Sequence, residues 1–226
     1  MVSFKEHQAE VYGVDWNCAQ NPLIVSGSWD NTIKLWSPQS ETSLQTYHEH
    51  SYCIYSTIWS PHNPEVFASA SGDCTVKIWD TKMPQSTMTI PAHMHEILTM
   101  DWNKYMDNII VTGSVDKSLK IWDLRNPSRE LLMLHGHTSA VRRAKFSPHR
   151  DNVVGSASYD MSLMLWDTSR PEAPILNQYR QHSEFVVGLD FSLFNEGQMA
   201  SCSWDWNVCV WHESAPPTES QLVRCM

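Results

Sequence analysis

The sequence predicts an all-β fold, a β-propeller in which five four-stranded blades are recognisable. Three observations predict it. One string comes back five times: "SGSWDNTIKLW" at residues 26–36 returns as "SASGDCTVKIW", "TGSVDKSLKIW", "SASYDMSLMLW" and "SCSWDWNVCVW". The markers of this repeat hold register. Trp36, Trp79, Trp122, Trp166 and Trp211 step by 43, 43, 44 and 45, and each lies 29 residues after a histidine, His7, His50, His93, His137 or His182. Each unit is also written in β-rich runs separated by turn residues, with little helical periodicity. A period of about 40–45 residues marks a repeat architecture, and four strands per period make a propeller blade.

Within a unit the strands follow in order. The first is a run such as "VYGVDW" or "IYSTIW", ending on a second aromatic (Trp16, Trp59, Trp102, Phe146 or Phe191) nine residues after the histidine. A Pro/Asn-containing loop such as "SPHNPE" follows. The second and third strands, for example "VFASAS" and "TVKIWD", flank a turn holding Asp30, Asp73, Asp116, Asp160 or Asp205, and so read as a hairpin. A weaker fourth run, such as "SLQTY" or "STMTI", leads into the next histidine. The repeats occupy residues 1–212, and the Pro/Ser-rich "ESAPPTESQLVRCM" at 213–226 reads as a disordered tail.

Composition bounds the function. Of 226 residues, 42% are hydrophobic and 18% charged, a balance that buries a sizeable core. No apolar run approaches the roughly 18 residues that span a bilayer, so no integral membrane segment is expected. The start "MVSFKEHQAE" lacks the basic head and apolar stretch of a secretory signal. A net charge of −9 argues against nucleic acid and for a basic or neutral partner. Cys18, Cys53, Cys74, Cys202, Cys209 and Cys225 show no C-x-x-C spacing and are expected as free thiols. Neither G-x-x-x-x-G-K nor G-x-G-x-x-G occurs, and the histidines come one per blade, so no nucleotide, metal or other cofactor is expected.

The histidine, the turn aspartate and the terminal "IWD" or "LWD" resemble the WD-repeat family. Departures are small: only Gly136–His137 gives the full "GH", and repeats one and five end in "WS" and "WH". The recurring Ser, His and Asp invite comparison with a hydrolase. A catalytic set is needed once, however, and this one appears five times, so no catalytic residue is expected. The resemblance implies instead a buried hydrogen-bond chain in each blade: Trp36, Ser26, His7 and Asp30; Trp79, Ser69, His50 and Asp73; Trp122, Thr112, His93 and Asp116; Trp166, Ser156, His137 and Asp160; Trp211, Ser201, His182 and Asp205. Indole N–H only donates, hydroxyl and imidazole do both, and carboxylate only accepts, so such a chain satisfies every member.

Function is then sought where the copies differ. In WD-repeat proteins the histidine loop and the aspartate turn share one face. Just before the aspartate stand Trp29, Gly72, Val115, Tyr159 and Trp204. Three residues after the histidine stand Glu10, Cys53, Glu96, Ala140 and Phe185, with Glu184 beside the last. Five after it stand Tyr12, Tyr55, Leu98, Arg142 and Val187. Carboxylates beside aromatic anchors suit a peptide-binding patch, since a carboxylate pairs with Arg or Lys. The candidate residues are Glu10, Glu96, Glu184, Trp29, Tyr159, Phe185 and Trp204.

A closer resemblance lies in the wording outside the repeat markers. "EVYGVDW", "YSTIWSPHNPEVFASASGD", "IPAHMHEIL", "DWNKYMDNIIVTGSVD", "RRAKFSPHRDNVVGSASYD" and "HSEFVVGLDFSL" resemble the receptors for the type 2 peroxisomal targeting signal, the peroxin-7 family, from Phe4 to His212. That resemblance implies a non-enzymatic import receptor shuttling between cytosol and peroxisome matrix. Its partners would be cargo such as thiolase bearing an N-terminal Arg-Leu-x5-His-Leu helix, a co-receptor (the long form of the type 1 signal receptor, or its fungal equivalent) and the peroxisomal docking complex. The family has seven blades, so the five copies here imply an N-terminally shortened, incomplete ring. The alternatives are a generic WD-repeat adaptor for complex assembly and a truncated isoform without function.

Overall fold

The computed structural model describes residues 3–17, 22–214 and 222–224, and among these there is no helix. Among the described residues, twenty strands form five four-stranded antiparallel sheets. Two compact units, residues 1–100 and 101–226, divide the span that the sequence reads as one repeat domain.

Unit 1 holds two sheets. The first is β1 (Val11–Trp16), β2 (Ile24–Ser28), β3 (Ile33–Trp36) and β4 (Gln45–Tyr47), in that order. The second is β5 (Ile54–Trp59), β6 (Val66–Ser71), β7 (Thr75–Asp80) and β8 (Ser86–Pro91). Their shared core is Val25, Ile33, Leu35, Tyr47, Ile54, Trp59, Phe67 and Trp79. The unit boundary falls inside β9 (Ile97–Trp102), whose sheet continues with β10 (Ile109–Ser114), β11 (Leu119–Asp123) and β12 (Leu132–Leu134). In unit 2 follow β13 (Val141–Phe146), β14 (Val153–Ser158), β15 (Leu163–Asp167) and β16 (Ile175–Tyr179), then β17 (Val186–Phe191), β18 (Gln198–Ser203), β19 (Asn207–His212) and β20 (Leu222–Arg224). β10 and β14 are buried along their whole length. For β14 the neighbouring sheets cover both faces, Val154 packing with β10 and β11 and Val153 and Ala157 with β17 and β18, which is why it reads as a continuous small and apolar run rather than an alternating one.

Two backbone devices recur and place the functional face. The first is a bulge in the leading strand, between Val11 and Gly13, Ile54 and Ser56, Val141 and Arg143, and Val186 and Gly188. The extra residue is Tyr12, Tyr55, Arg142 or Val187, and a bulge re-aims its side chain. The second is the hairpin turn. Asn31 N–H donates to Ser28 O at 3.2 Å and Ser28 N–H to Thr32 O at 3.2 Å, with Asn31 at φ 68°. Cys74, Lys117, Met161 and Trp206 hold the same left-handed conformation, at φ 65–73°. Only the asparagine of the first repeat suits it, since other side chains clash there at about 1–2 kcal/mol. Lys117→Asn and Met161→Asn should therefore each raise stability by about 0.5–1 kcal/mol. A higher urea midpoint with unchanged slope is the expected result.

Within the span 213–226, which the sequence reads as a tail, Leu222–Arg224 forms β20 and pairs with β19, Val208 opposite Val223. The leucine and valine behind the Pro/Ser-rich stretch are strand formers, and β19 would otherwise present a row of open backbone groups. Cys53, Cys74, Cys202 and Cys209 are free thiols. Cys18, Cys225 and most of the tail lie outside the described residues.

Candidate functional site: an acidic and aromatic rim

The face is built on hydrogen-bond chains. In the first repeat the Trp36 indole donates to Ser26 Oγ at 2.8 Å, Ser26 pairs with His7 Nε2 at 2.7 Å, and His7 Nδ1 with Asp30 Oδ2 at 2.8 Å. The corresponding distances are 2.8, 2.7 and 2.7 Å for Trp79, Ser69, His50 and Asp73. They are 2.7, 2.6 and 2.9 Å for Trp166, Ser156, His137 and Asp160. They are 2.8, 2.8 and 2.8 Å for Trp211, Ser201, His182 and Asp205. In the third repeat Trp122 donates to Thr112 Oγ1 at 3.0 Å, Asp116 accepts from the Ser118 hydroxyl at 2.6 Å, and His93 is buried. With indole donating to it and imidazole beyond it, each buried hydroxyl is held as a relay rather than presented as a nucleophile.

Each aspartate also collects donors that the marker spacing did not reveal. Asp30 accepts from Gln8 N–H, Thr32 N–H and the Thr32 hydroxyl, and Thr75, Ser118 and Ser162 repeat the last contact. The readable signal is Asp-x-Thr/Ser, present in four of the five turns. Burial works against the Asp30 charge, but Thr32, Gln8 and His7 outweigh it and hold its carboxyl at about 2. Asp73, Asp160 and Asp205 are lowered by the same balance of burial against hydrogen bonds. A carboxyl depressed on folding stabilises above its unfolded value, near 4, and loses that contribution as pH falls through the folded value. The urea midpoint should accordingly hold from pH 7 to about 5 and fall steeply between about 4 and 2. Asp30→Asn should lose about 2 kcal/mol at pH 7 and flatten that acid slope.

The chains hold the rim positions together. In unit 1, Trp29 N–H donates to Glu10 O at 2.9 Å and Gly72 N–H to Cys53 O at 2.8 Å. In unit 2, Tyr159 N–H donates to Ala140 O and Trp204 N–H to Phe185 O, both at 3.1 Å. The residue before the aspartate is thereby set beside the third residue after the histidine.

Unit 1 carries an aromatic cluster flanked by carboxylates. Tyr12 and Trp29 stack with centroids 5.8 Å apart, and Tyr55 stands edge-on to both, at 5.7 and 6.3 Å. Trp29 is 41% and Tyr12 43% exposed, so both rings are open to a ligand. The Tyr55 hydroxyl donates to Glu96 Oε2 at 3.2 Å. Burial and the Glu96 charge push the Tyr55 phenol well above its ordinary value. Burial also raises the Cys53 thiol, and Glu96 and Glu10 act in the same direction, so two carboxylates converge on this spot. Among the described residues no lysine or arginine pairs with Glu10 or Glu96.

Sequence reasoning selected Trp29, Glu10 and Glu96; it placed Tyr12 and Tyr55 on the rim, five residues after the histidine, but left them out of the candidate set, and their place at the bulge is the signal that brings them in. Tyr52 was missed. It covers Gly72, where an added Cβ would stand 2.4 Å from the tyrosine ring. Gly72 is the one residue before a turn aspartate without a side chain, which marks a neighbour filling its place.

Unit 2 carries the second cluster. Tyr159 and Phe185 have centroids 4.8 Å apart, Phe185 and Trp204 5.3 Å, and Tyr159 and Trp204 6.3 Å. All three are residues the sequence selected. Glu184 is exposed beside them, its carbonyl accepting from Ser203 Oγ at 3.0 Å.

Four-stranded repeats, Trp-Ser-His-Asp chains and a variable rim define a WD-repeat β-propeller protein. The comparisons agree. Residues 38–166 match the EIPR1 beta-propeller model, and residues 1–37 and 174–212 match the WD domain, G-beta repeat. The chain is 50% identical over 209 residues to the mouse peroxisomal targeting signal 2 receptor, covering 92% of this chain and 65% of that protein. It is 62% identical over 196 residues to the Dictyostelium discoideum receptor of the same name, covering 87% and 62%. It is 61% identical over 218 residues to Arabidopsis thaliana peroxisome biogenesis protein 7, covering 96% and 68%. The chain belongs to the peroxisomal targeting signal 2 receptor family and spans about two-thirds of the length of these relatives.

Proposed function

We propose that the chain is a non-enzymatic receptor that captures proteins bearing a type 2 peroxisomal targeting signal in the cytosol. With a co-receptor it delivers them to the peroxisomal docking machinery, shuttling between cytosol and matrix. The observation that carries this reading is the unit 1 rim, where Glu10 and Glu96 flank the open rings of Tyr12 and Trp29 without a cation of their own. The names of the relatives support the same ligand.

An Arg-Leu-x5-His-Leu helix fits such a rim. Seven residues make close to two turns, so its first, second, eighth and ninth residues share a face. On unit 1 the arginine is assigned to Glu10 or Glu96 and a leucine to Trp29; on unit 2, taken by itself, the arginine would fall to Glu184 and the leucines to Tyr159, Phe185 or Trp204. Arg–carboxylate pairs are charge-assisted and can be bidentate, which gives orientation as well as affinity.

The test is a fluorescence-anisotropy titration with labelled signal peptide, with and without co-receptor. Arginine-dependent binding is expected, with at least about tenfold weaker binding of an Arg→Ala peptide. Equal affinity for both peptides would overturn the reading in favour of a WD-repeat adaptor.

A further inference from the structure

At the strand ends away from the rim, an amide side chain bridges neighbouring sheets. In unit 1, Gln45 on β4 pairs with Leu35, and its Nε2 donates to Met83 O, between β7 and β8, at 3.2 Å. In unit 2, Asn177 on β16 stands opposite Leu165 in the same register, and its Nδ2 donates to Glu213 O, just past β19, at 2.7 Å. Leu132 on β12 holds this position opposite Ile121, and leucine has no proton to donate. The joint between the third and fourth sheets therefore lacks the bridge.

A cleft of about 460 Å³ opens there, wholly within unit 2. Its buried walls are Ile109, Ile121 and Phe146, and Met106 and Leu131 stand at it 43% and 58% exposed. It is formed from the β9–β10, β11–β12, β13–β14 and β15–β16 connections. Connections in an antiparallel sheet alternate between its two ends, so this is the opposite end from the β14–β15 turn that carries Tyr159. The third and fourth sheets each have a repeat before and after them in this chain.

The charge at the cleft has one sign to spare. Among the described residues Arg125 is the one cation lining it, and Asp123 takes it up, accepting from Nε at 2.9 Å and from Nη2 at 2.6 Å. Asp151 lines the cleft too, is exposed, and pairs with no lysine or arginine among the described residues. Asp107 is exposed as well and acts on the Arg125 charge.

We propose that this cleft is a second docking site, for a partner segment that places a large apolar side chain between the two sheets and a lysine or arginine on Asp151. Apolar walls call for the first group and the unpaired carboxylate for the second, whereas an acidic segment would meet Asp151 and Asp107. Because cleft and rim lie at opposite strand ends, a partner bound here leaves the rim free.

The probe is a labelled acetyl-Lys-Leu-Phe-Lys-amide peptide, with acetyl-Glu-Leu-Phe-Glu-amide as its acidic counterpart, titrated by anisotropy against the full chain up to about 1 mM. A lysine on each side serves either chain direction. The basic peptide should bind, and the acidic one at least about fivefold more weakly. Asp151→Lys and Leu132→Gln, the latter restoring the bridging amide, should each weaken the basic peptide at least about fivefold. Asp151 is exposed, so its variant keeps the test decisive should Leu132→Gln fail to fold. Glu10→Lys with Glu96→Lys should leave this binding unchanged, which separates the cleft from the rim. Absence of binding, equal or tighter binding of the acidic peptide, full binding by Asp151→Lys, or loss in the rim variant would each overturn the proposal.

Discussion

Replacing Glu10 and Glu96 together by lysine is expected to abolish capture of an arginine-bearing signal peptide. The two carboxylates act on the same thiol, Cys53, so they share one neighbourhood, and neither is tied up in an ion pair among the described residues. A hydrogen bond to a charged group contributes about 1.5–3 kcal/mol. Losing two and adding like-charge repulsion should weaken binding by more than about 100-fold. Anisotropy with the double variant measures this directly, and an Arg→Glu peptide should recover part of the loss. Tyr55→Phe is the finer companion. It leaves both charges but removes the hydroxyl that orients Glu96 at 3.2 Å, so about three- to tenfold weaker binding is expected. Unchanged affinity in the double variant would remove the arginine from this rim and leave Glu184 as its partner.

The repeat made most of the fold legible. Four markers in register through five copies locate each histidine, turn and third strand, because a residue that closes a buried hydrogen-bond chain tolerates no shift. The turn conformation was less visible. Asn31 announces a left-handed residue, whereas Cys74, Lys117, Met161 and Trp206 occupy the same conformation with side chains that do not favour it. There the flanking strands and the aspartate dictate the backbone against local preference. β20 escaped for a related reason. Three strand-forming residues behind a Pro/Ser-rich stretch carry no periodic signal, and only the open edge of β19 gives them a place.

The rim divided along the same line. Residues next to a marker inherit its position, so Trp29, Tyr159, Phe185 and Trp204 were found by counting, and the last three do meet. Counting reached Tyr12 and Tyr55 as well, five residues after the histidine, but their prominence depends on a bulge. Strict alternation along a strand does not foresee which way a bulged side chain turns. Tyr52 depends on the absence of a side chain at Gly72, a complementarity visible only once both residues are placed.

Ser156→Ala should cost more than its size suggests, and it separates a structural from a passive role for the repeated serine. Ser156 is fully buried, accepts the Trp166 indole N–H at 2.7 Å and meets His137 Nε2 at 2.6 Å. Alanine removes one oxygen but strands two buried groups in a space closed to water. At about 1–3 kcal/mol for each unsatisfied group, the loss should be about 2–6 kcal/mol. Set against a typical total of 5–15 kcal/mol, that is enough to unfold a marginal unit. Thr112 holds the equivalent position in the third repeat and receives Trp122 at 3.0 Å, so Ser156→Thr should retain most of the stability. Urea unfolding followed by tryptophan fluorescence reads both variants. If Ser156→Ala loses no more than the exposed Ser128→Ala, the chain from Trp166 to Asp160 is not what ties these strands together. If it loses several kcal/mol while the threonine variant holds, the hydroxyl relay is what keeps the rim above it in place.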